Sequence, residues 1–158
     1  MKKVGERVSK LEAALEYAPK GWPVLPLKGK LPLTKHGYKD ASCSREQIKK
    51  WWKKHPSANI GIVTGDRSQL IVVDVDNKNG KCGDESLREL ERQFDDLPNT
   101  LKAKTPSNGW HYVFRMPKLG IKSNKGVREG IDLLANGSYF VAPPSTIDGK
   151  TYQWVKKG

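Results

Sequence analysis

Four side chains stand where they could do chemistry: Asp74, Asp76, Asp132 and His111. Asp74 and Asp76 end the apolar run Leu70-Ile71-Val72-Val73 and lie two residues apart. On a strand, positions i and i+2 point to one face, so the spacing sets two carboxylates side by side at the C-terminal end of a buried strand. Carboxylates that close repel unless protons or a cation compensate. Hard divalent ions such as Mg²⁺ take oxygen ligands, typically one or two carboxylates together with phosphate oxygens. Asp76-Asn77-Lys78-Asn79-Gly80 is equally good turn chemistry, so the pair alone leaves a metal site and a turn start on level terms. Asp132 adds a third acid, set in the apolar stretch Gly130-Ile131-Asp132-Leu133-Leu134-Ala135. Such a residue is costly to bury without a partner, and its alternative is an edge position facing water. Three carboxylates on neighbouring strands could hold two Mg²⁺ or Mn²⁺ ions. One ion would lower the pKa of an attacking hydroxyl, and both would hold a transferring phosphate in line.

His111 follows a turn of small polar residues, Thr105-Pro106-Ser107-Asn108-Gly109-Trp110. The backbone amides of such a turn can cradle a phosphate. Ser107 and His111 can donate to the same group, and Arg115, four residues on, shares the strand face of His111. The plainer alternatives are a half-buried strand histidine and an ordinary turn serine. His36 reads as a loop residue and His55 as the cation at a helix C-terminus.

These residues need elements to hold them. Leu11, Ala14, Leu15 and Ala18 recur at helical spacing and predict a helix over roughly 6–19, stopped by Pro19-Lys20-Gly21. Pro23 to Leu27 reads as extended, and 28–41 as a loop rich in Lys, Gly and Pro. Ser44-Arg45-Glu46-Gln47 matches a capping box that opens a second helix, with Ile48, Trp51, Trp52 and His55 on one face. Strands are expected at Asn59–Val63 and Leu70–Val73. A third helix is expected with Asp84 or Ser86 as cap and Leu87, Leu90 and Phe94 inward. Further strands fall at Leu101–Thr105, Trp110–Phe114, Tyr139–Val141 and Thr151–Trp154. Gaps as short as Thr105 to Trp110 imply hairpins, and the whole reads as one mixed α+β domain over residues 1–158.

The chain has 158 residues and a formal net charge of +12. The charge is uneven, at +9 over residues 1–60, −4 over 61–100 and +7 over 101–158. A basic excess suits a polyanionic partner without naming it. No apolar run approaches the roughly 20 residues of a spanning helix, and Met1-Lys2-Lys3 leads into charged residues rather than a signal peptide. Cys43 and Cys82 make neither a zinc spacing nor a disulfide framework. A membrane span, a disulfide scaffold and a Cys-rich zinc module are thereby excluded, and a reducing, cytoplasmic setting is expected.

Several motifs in order and spacing carry a resemblance. They are Tyr17-Ala18 with Gly21-Trp22-Pro23-Val24; Lys30 and Pro32; Gly37-Tyr38-Lys39-Asp40-Ala41-Ser42; Trp51-Trp52; Asn59-Ile60-Gly61 with Thr64-Gly65; and Val73-Asp74-Val75-Asp76. There follow Pro98-Asn99-Thr100; Thr105-Pro106-Ser107 with Gly109 and His111; Gly130-Ile131-Asp132; and Val141-Ala142-Pro143-Pro144-Ser145. From about Leu11 to Trp154 the chain resembles the bifunctional DNA primase/polymerase domain of the archaeo-eukaryotic primase superfamily, found in plasmid and phage replication proteins. The resemblance implies a catalytic module with an RRM-like sheet, packed on an N-terminal αβ module, with the site in the cleft between. It implies attack of a 3′-hydroxyl on the α-phosphate of a nucleoside triphosphate, on a single-stranded DNA template with its primer, beside a fused or separate helicase.

By the same resemblance Asp74, Asp76 and Asp132 are the metal ligands for Mg²⁺ or Mn²⁺. Ser107, Asn108, Gly109, His111, Arg115 and Tyr139 are candidate contacts of the incoming nucleotide. Asn108 stands where relatives often have Gly. Leu134 stands where many have Arg, a contact that Arg128 or Lys125 could supply. Tyr139 either stacks under the sugar as a gate against a 2′-hydroxyl or is a core tyrosine beside Phe140. Trp51 and Trp52 are either a base platform or, as favoured, packing. Lys49, Lys50 and Lys53 make the second helix basic on its outer face, and with Lys30 and Lys104 they are candidate nucleic-acid contacts. Two rivals remain at this point: a metal-dependent nuclease, and a DNA-binding initiator module without strong catalysis.

Overall fold

The computed structural model describes residues 8–155. Helix α1 spans Lys10–Tyr17 and is capped by Ser9, whose Oγ accepts from the Glu12 amide at 3.1 Å. The expected helix was longer. Its positions 6 and 7 lie outside the described residues, and its last turn is the 3₁₀ turn Ala18–Lys20, closed by Gly21 at φ 81°. Strand β1 (Val24–Lys28) turns back through Gly29 into β2 (Leu31–Pro32). Helix α2 (Arg45–Lys54) starts at Ser44, which accepts from the Gln47 amide as the capping box requires. Then follow β3 (Asn59–Val63), β4 (Leu70–Val75) and α3 (Gly83–Gln93). The C-terminal half is all strand: β5 (Leu101–Lys104), β6 (Trp110–Arg115), β7 (Asn124–Arg128), β8 (Ile131–Leu134), β9 (Tyr139–Ala142), β10 (Thr146–Ile147), β11 (Lys150–Thr151) and β12 (Gln153–Val155).

Two antiparallel sheets result, in the orders β2-β1-β3-β9 and β12-β5-β6-β4-β8-β7, with β10–β11 a separate hairpin. The α+β expectation holds. Strand β4 is central in the larger sheet, flanked by β6 and β8, and apolar clusters cover both of its faces, which accounts for its continuous apolar run. The smaller sheet is not built from the N-terminal segment alone, since its fourth strand, β9, returns from the C-terminal half to pair with β3. The main core joins α1, α2, one face of the smaller sheet (Val24, Ile60, Ile62, Phe140) and one face of the larger (Leu70, Val72, Val113, Leu134). Trp52 is buried in it and Trp51 packs half-buried against it, so both tryptophans serve packing. A second cluster lines the other face of the smaller sheet around Leu25, Leu27, Val63 and Val141. A third seals α3 onto the larger sheet through Val75, Leu87 and Ile131.

Two expectations for α3 are corrected. Neither Asp84 nor Ser86 caps it. The N-cap position is Cys82, which makes no side-chain cap bond, and Asn77 from the preceding loop instead accepts from the Asp84 amide at 2.9 Å. Ser86 Oγ donates to the Glu129 carbonyl. Phe94 is not inward. It follows the last helical residue, where the backbone has left helical geometry, and it is 67% exposed. Strand β7 was not anticipated, because Asn-Lys-Gly-Val-Arg shows no alternation and pairs with β8 through an irregular register. Among the described residues no helix is long and apolar enough to cross a membrane. If Asn77 is the cap of α3, Asn77→Ala lowers stability by about 1 kcal/mol in urea unfolding, while Cys82→Ala changes it little.

Candidate active site

The register of β4 decides what meets what. Asp74 is directly opposite Asp132 on β8 and directly opposite His111 on β6. Residues so paired have Cβ atoms about 5 Å apart and share a face, here the face that also carries Val72, Leu134 and Val113. His111 Nε2 lies 3.4 Å from Asp74 Oδ1. The imidazole is 6% exposed and held by two rings, stacked on Tyr152 (centroids 5.8 Å, 25°) and edge-on to Phe140 (5.8 Å, 82°). Its Nδ1 is buried without a partner. A proton on Nε2, toward Asp74, is the tautomer that leaves no buried N–H unmet. Asp132 Oδ1 accepts from the Gly126 amide at 2.7 Å, and among the described residues its other oxygen has no donor.

A cleft of about 280 Å³ opens over this pair between the two sheets, lined by Lys30, Asp74, His111, Lys125, Asp132, Tyr139 and Tyr152 among others. Lys30 comes from the β1–β2 turn, and its carbonyl accepts from the Tyr139 hydroxyl at 2.7 Å. Tyr139 is thus half-buried at the rim, partly core and partly wall. Lys125, on the edge strand β7, reaches the cleft beside Asp132, while Leu134 forms its apolar side. Arg128 is exposed, with its Nη1 donating to the Val127 carbonyl, and does not line the cleft.

The other expected residues lie elsewhere. Asp76 is just past the end of β4, with Oδ1 accepting from the Lys78 amide and Oδ2 3.4 Å from Lys81 Nζ. It does not line the cleft, and among the described residues no group of three or more His, Cys, Asp or Glu converges as ligands. Ser107, Asn108 and Gly109 form the β5–β6 turn at the same strand end. Asn108 takes φ 63° and its carbonyl accepts from Asn77. Gly109 lies so close that a Cβ there would sit 2.3 Å from the Val75 carbonyl oxygen. Ser107 is exposed, beside the cleft rather than in it. Arg115 is at the far end of β6, opposite Leu70, so shared strand face does not bring it near His111. Lys104 lies on the opposite face of the sheet, 5.9 Å from the Trp110 ring centroid, because its neighbour Ala103 takes the face of His111. Lys49, Lys50 and Lys53 are exposed on α2 and line no part of the cleft.

Tyr152 was missed. Its one sequence signal was an aromatic in the last expected strand, and only the fold lays it under His111. Its side chain is buried, and its hydroxyl pKa is pushed up to about 12 by that burial and by the charge of Asp74. Below pH 10 the phenol is protonated in folded and unfolded chains alike. Above its unfolded value the unfolded chain loses the proton first, so stability falls until the folded value is reached. In the metal-free protein Tyr152→Phe therefore removes about 1.4 kcal/mol per pH unit from the slope of stability between about pH 10 and 12, as measured by urea unfolding.

Residues 14–158 match the family model described as bifunctional DNA primase/polymerase, N-terminal. No protein of curated function matches the chain. The matched segment takes in every residue of the cleft, from Lys30 to Tyr152. The family implies activity of the primase/polymerase type, with DNA and nucleotides as substrates. With the match running over nearly its whole length, the chain belongs to the bifunctional DNA primase/polymerase N-terminal domain family.

Proposed function

We propose that this domain is a template-dependent nucleotidyltransferase that joins a 3′-hydroxyl to the α-phosphate of an incoming nucleoside triphosphate and releases pyrophosphate. The observation that carries the reading is the cross-strand pair Asp74–Asp132 with His111 at 3.4 Å, at the base of a cleft rimmed by Lys30 and Lys125. Acids at the base and lysines at the rim suit a substrate with an anionic triphosphate and a reaction that needs a cation.

The donor chemistry fits a hard divalent ion. Mg²⁺ is commonly held by one or two carboxylates plus substrate phosphates, and Asp74 with Asp132 offers that set. When bound, Mg²⁺ or Mn²⁺ would neutralise developing charge on the phosphate oxygens. Asp76 would join as a third ligand on leaving Lys81, and a second ion would depend on it. His111 is held rigidly enough by Tyr152 and Phe140 to present Nε2 to a phosphate oxygen. Lys30 and Lys125 would take the outer phosphates as point charges. Tyr139 keeps the Lys30 turn against the rim. Leu134 brings no charge where relatives often carry Arg, and Lys125 stands on that side of the cleft.

Primer extension on a single-stranded template, with Mg²⁺ or Mn²⁺ and each nucleotide class, tests the reading. Asp74→Asn and Asp132→Asn are expected to lower incorporation by about 100-fold or more while leaving DNA binding intact. Asp76→Asn is expected to act through the metal concentration required. Extension at wild-type rate by Asp74→Asn would overturn the assignment, and release of nucleotides from labelled DNA in place of pyrophosphate would make the domain a nuclease. Tyr139→Phe removes the bond to the Lys30 carbonyl and is expected to raise KM for the nucleotide several-fold with kcat nearly unchanged.

A further inference from the structure

A second cleft, of about 480 Å³, lies where β4 begins and β6 ends. Its lining includes Lys20, Trp22, Arg67, Gln69 and Arg115 and no Asp or Glu. The ladder sets it apart from the catalytic pair. Leu70 faces Arg115 here, Asp74 faces His111 there, and four residues of strand, about 13 Å, separate them. Buried Val72 and Val113 fill the space between.

The cations of this cleft are poorly neutralised. Arg115 and Lys20 make no ion pair among the described residues. The Lys20 ammonium is 5.7 Å from the ring centroid of Trp22, which is itself stacked on Tyr17. Arg67 donates to the carbonyls of Tyr38 and Ala41, which fix the guanidinium and leave its charge. The acid in the same turn, Asp66, is not among the lining residues and accepts from the Gly120 amide. Gln69 takes φ 59°, a left-handed backbone uncommon for a residue with a long side chain. Bonds from its amide to the Gly65 carbonyl and from the Met116 amide to its own carbonyl hold it there. Its exposed side-chain amide lines the cleft.

We propose that this cleft is a second anion site, which holds the phosphate backbone of single-stranded DNA outside the catalytic cleft. Three cations and an indole in one lining that holds no acid match the make-up of grooves that track an unpaired strand. The volume is that of a pocket for one small ligand, about one nucleotide unit. The proposal rests on DNA being the substrate of this family and not on the roles given to Asp74 and Asp132.

The test is anisotropy of a labelled oligothymidylate over a range of salt, comparing wild type with the double variant Lys20→Gln/Arg115→Gln. Both positions are exposed, so the fold is expected to persist. Each lost single-strand phosphate contact lowers the slope of log K against log salt by about 0.7, so a drop of about 1.4 is expected. Incorporation at saturating primed template should stay at the wild-type rate. The variant Lys35→Gln/Lys150→Gln removes the same charge from other exposed positions and should leave the slope unchanged. An unchanged slope in the cleft variant, an equal drop in the control, a drop for duplex but not for single strand, or lost incorporation at saturation would each overturn the proposal. If the wild type incorporates no nucleotide, the proposed activity fails, while the binding slopes still decide the cleft.

Discussion

The register of strand β4 is the constraint on which the site depends. Asp74 must oppose Asp132 on one side and His111 on the other, and both pairings are set by hydrogen bonds along one central strand. A slip of one residue would turn Asp74 to the α3 face and bring Val73 or Val75 into the cleft. The slip is prevented by packing as much as by the ladder. Val72 and Leu70 are buried on the face of Asp74, and Val75 is buried on the other, so any shift would exchange apolar contacts for exposed surface at both faces. Full burial of a valine or leucine side chain is worth about 1.5–3 kcal/mol. The apolar half of the strand thereby holds its acidic end in a position that the acids alone would not choose.

The same register explains how a repulsive pair persists in a stable domain. Asp74 and Asp132 stand where the strand leaves the core, and the cleft gives their carboxylates access to water and ions. His111 is more costly to place. It is nearly fully buried with one ring nitrogen unmet, and rings from two other segments hold it there. One of these, Phe140 on β9, belongs to the smaller sheet, and Tyr152 packs in the cluster on that sheet's other face. The return of β9 to pair with β3 is therefore what closes the site, because it brings the C-terminal half against the N-terminal half at His111.

Much of this was legible in the chain. Asp74 and Asp132 were visible as acids within apolar strand patterns, and the ladder pairs them. His111 was visible as a polar residue after a turn. Where placement departs from the pattern, the reasons are physical. Period-two alternation correctly gave Arg115 the face of His111, but a shared face says nothing of distance along the strand. Asp76 matched the spacing of a pair, yet β4 ends at Val75 and the turn chemistry of its loop takes over, binding its carboxylate to the Lys78 amide and Lys81. Tyr152 shows in the sequence only as an aromatic in the last expected strand, and Lys125 only as a stand-in for the Arg that Leu134 replaces. They reach the cleft through β12's neighbourhood and an irregular edge strand, which are products of topology and not of pattern. Asn77 sits in a turn sequence and yet caps α3, because the loop folds back on the helix it precedes.

The charge distribution takes on a meaning that a net count of +12 does not have. The acidic stretch 61–100 divides in space. Asp74 turns into the inter-sheet cleft, while Glu85, Glu89, Asp95 and Asp96 lie exposed on or after α3, against the far face of the larger sheet. The flanking basic segments supply Lys30 and Lys125 to one end of the inner face and Lys20 and Arg115 to the other. Only the first end carries acids among its lining. Positive charge is thus common to both ends of the inner face, and the difference between them is the pair of carboxylates. A polyanion would be attracted to both, but a cation would be held at one. Attraction of that kind is long-ranged and screened by salt, whereas the carboxylate pair acts only at contact. On the proposed roles, four residues of β-ladder and the two buried valines between them separate holding a strand from reacting with it.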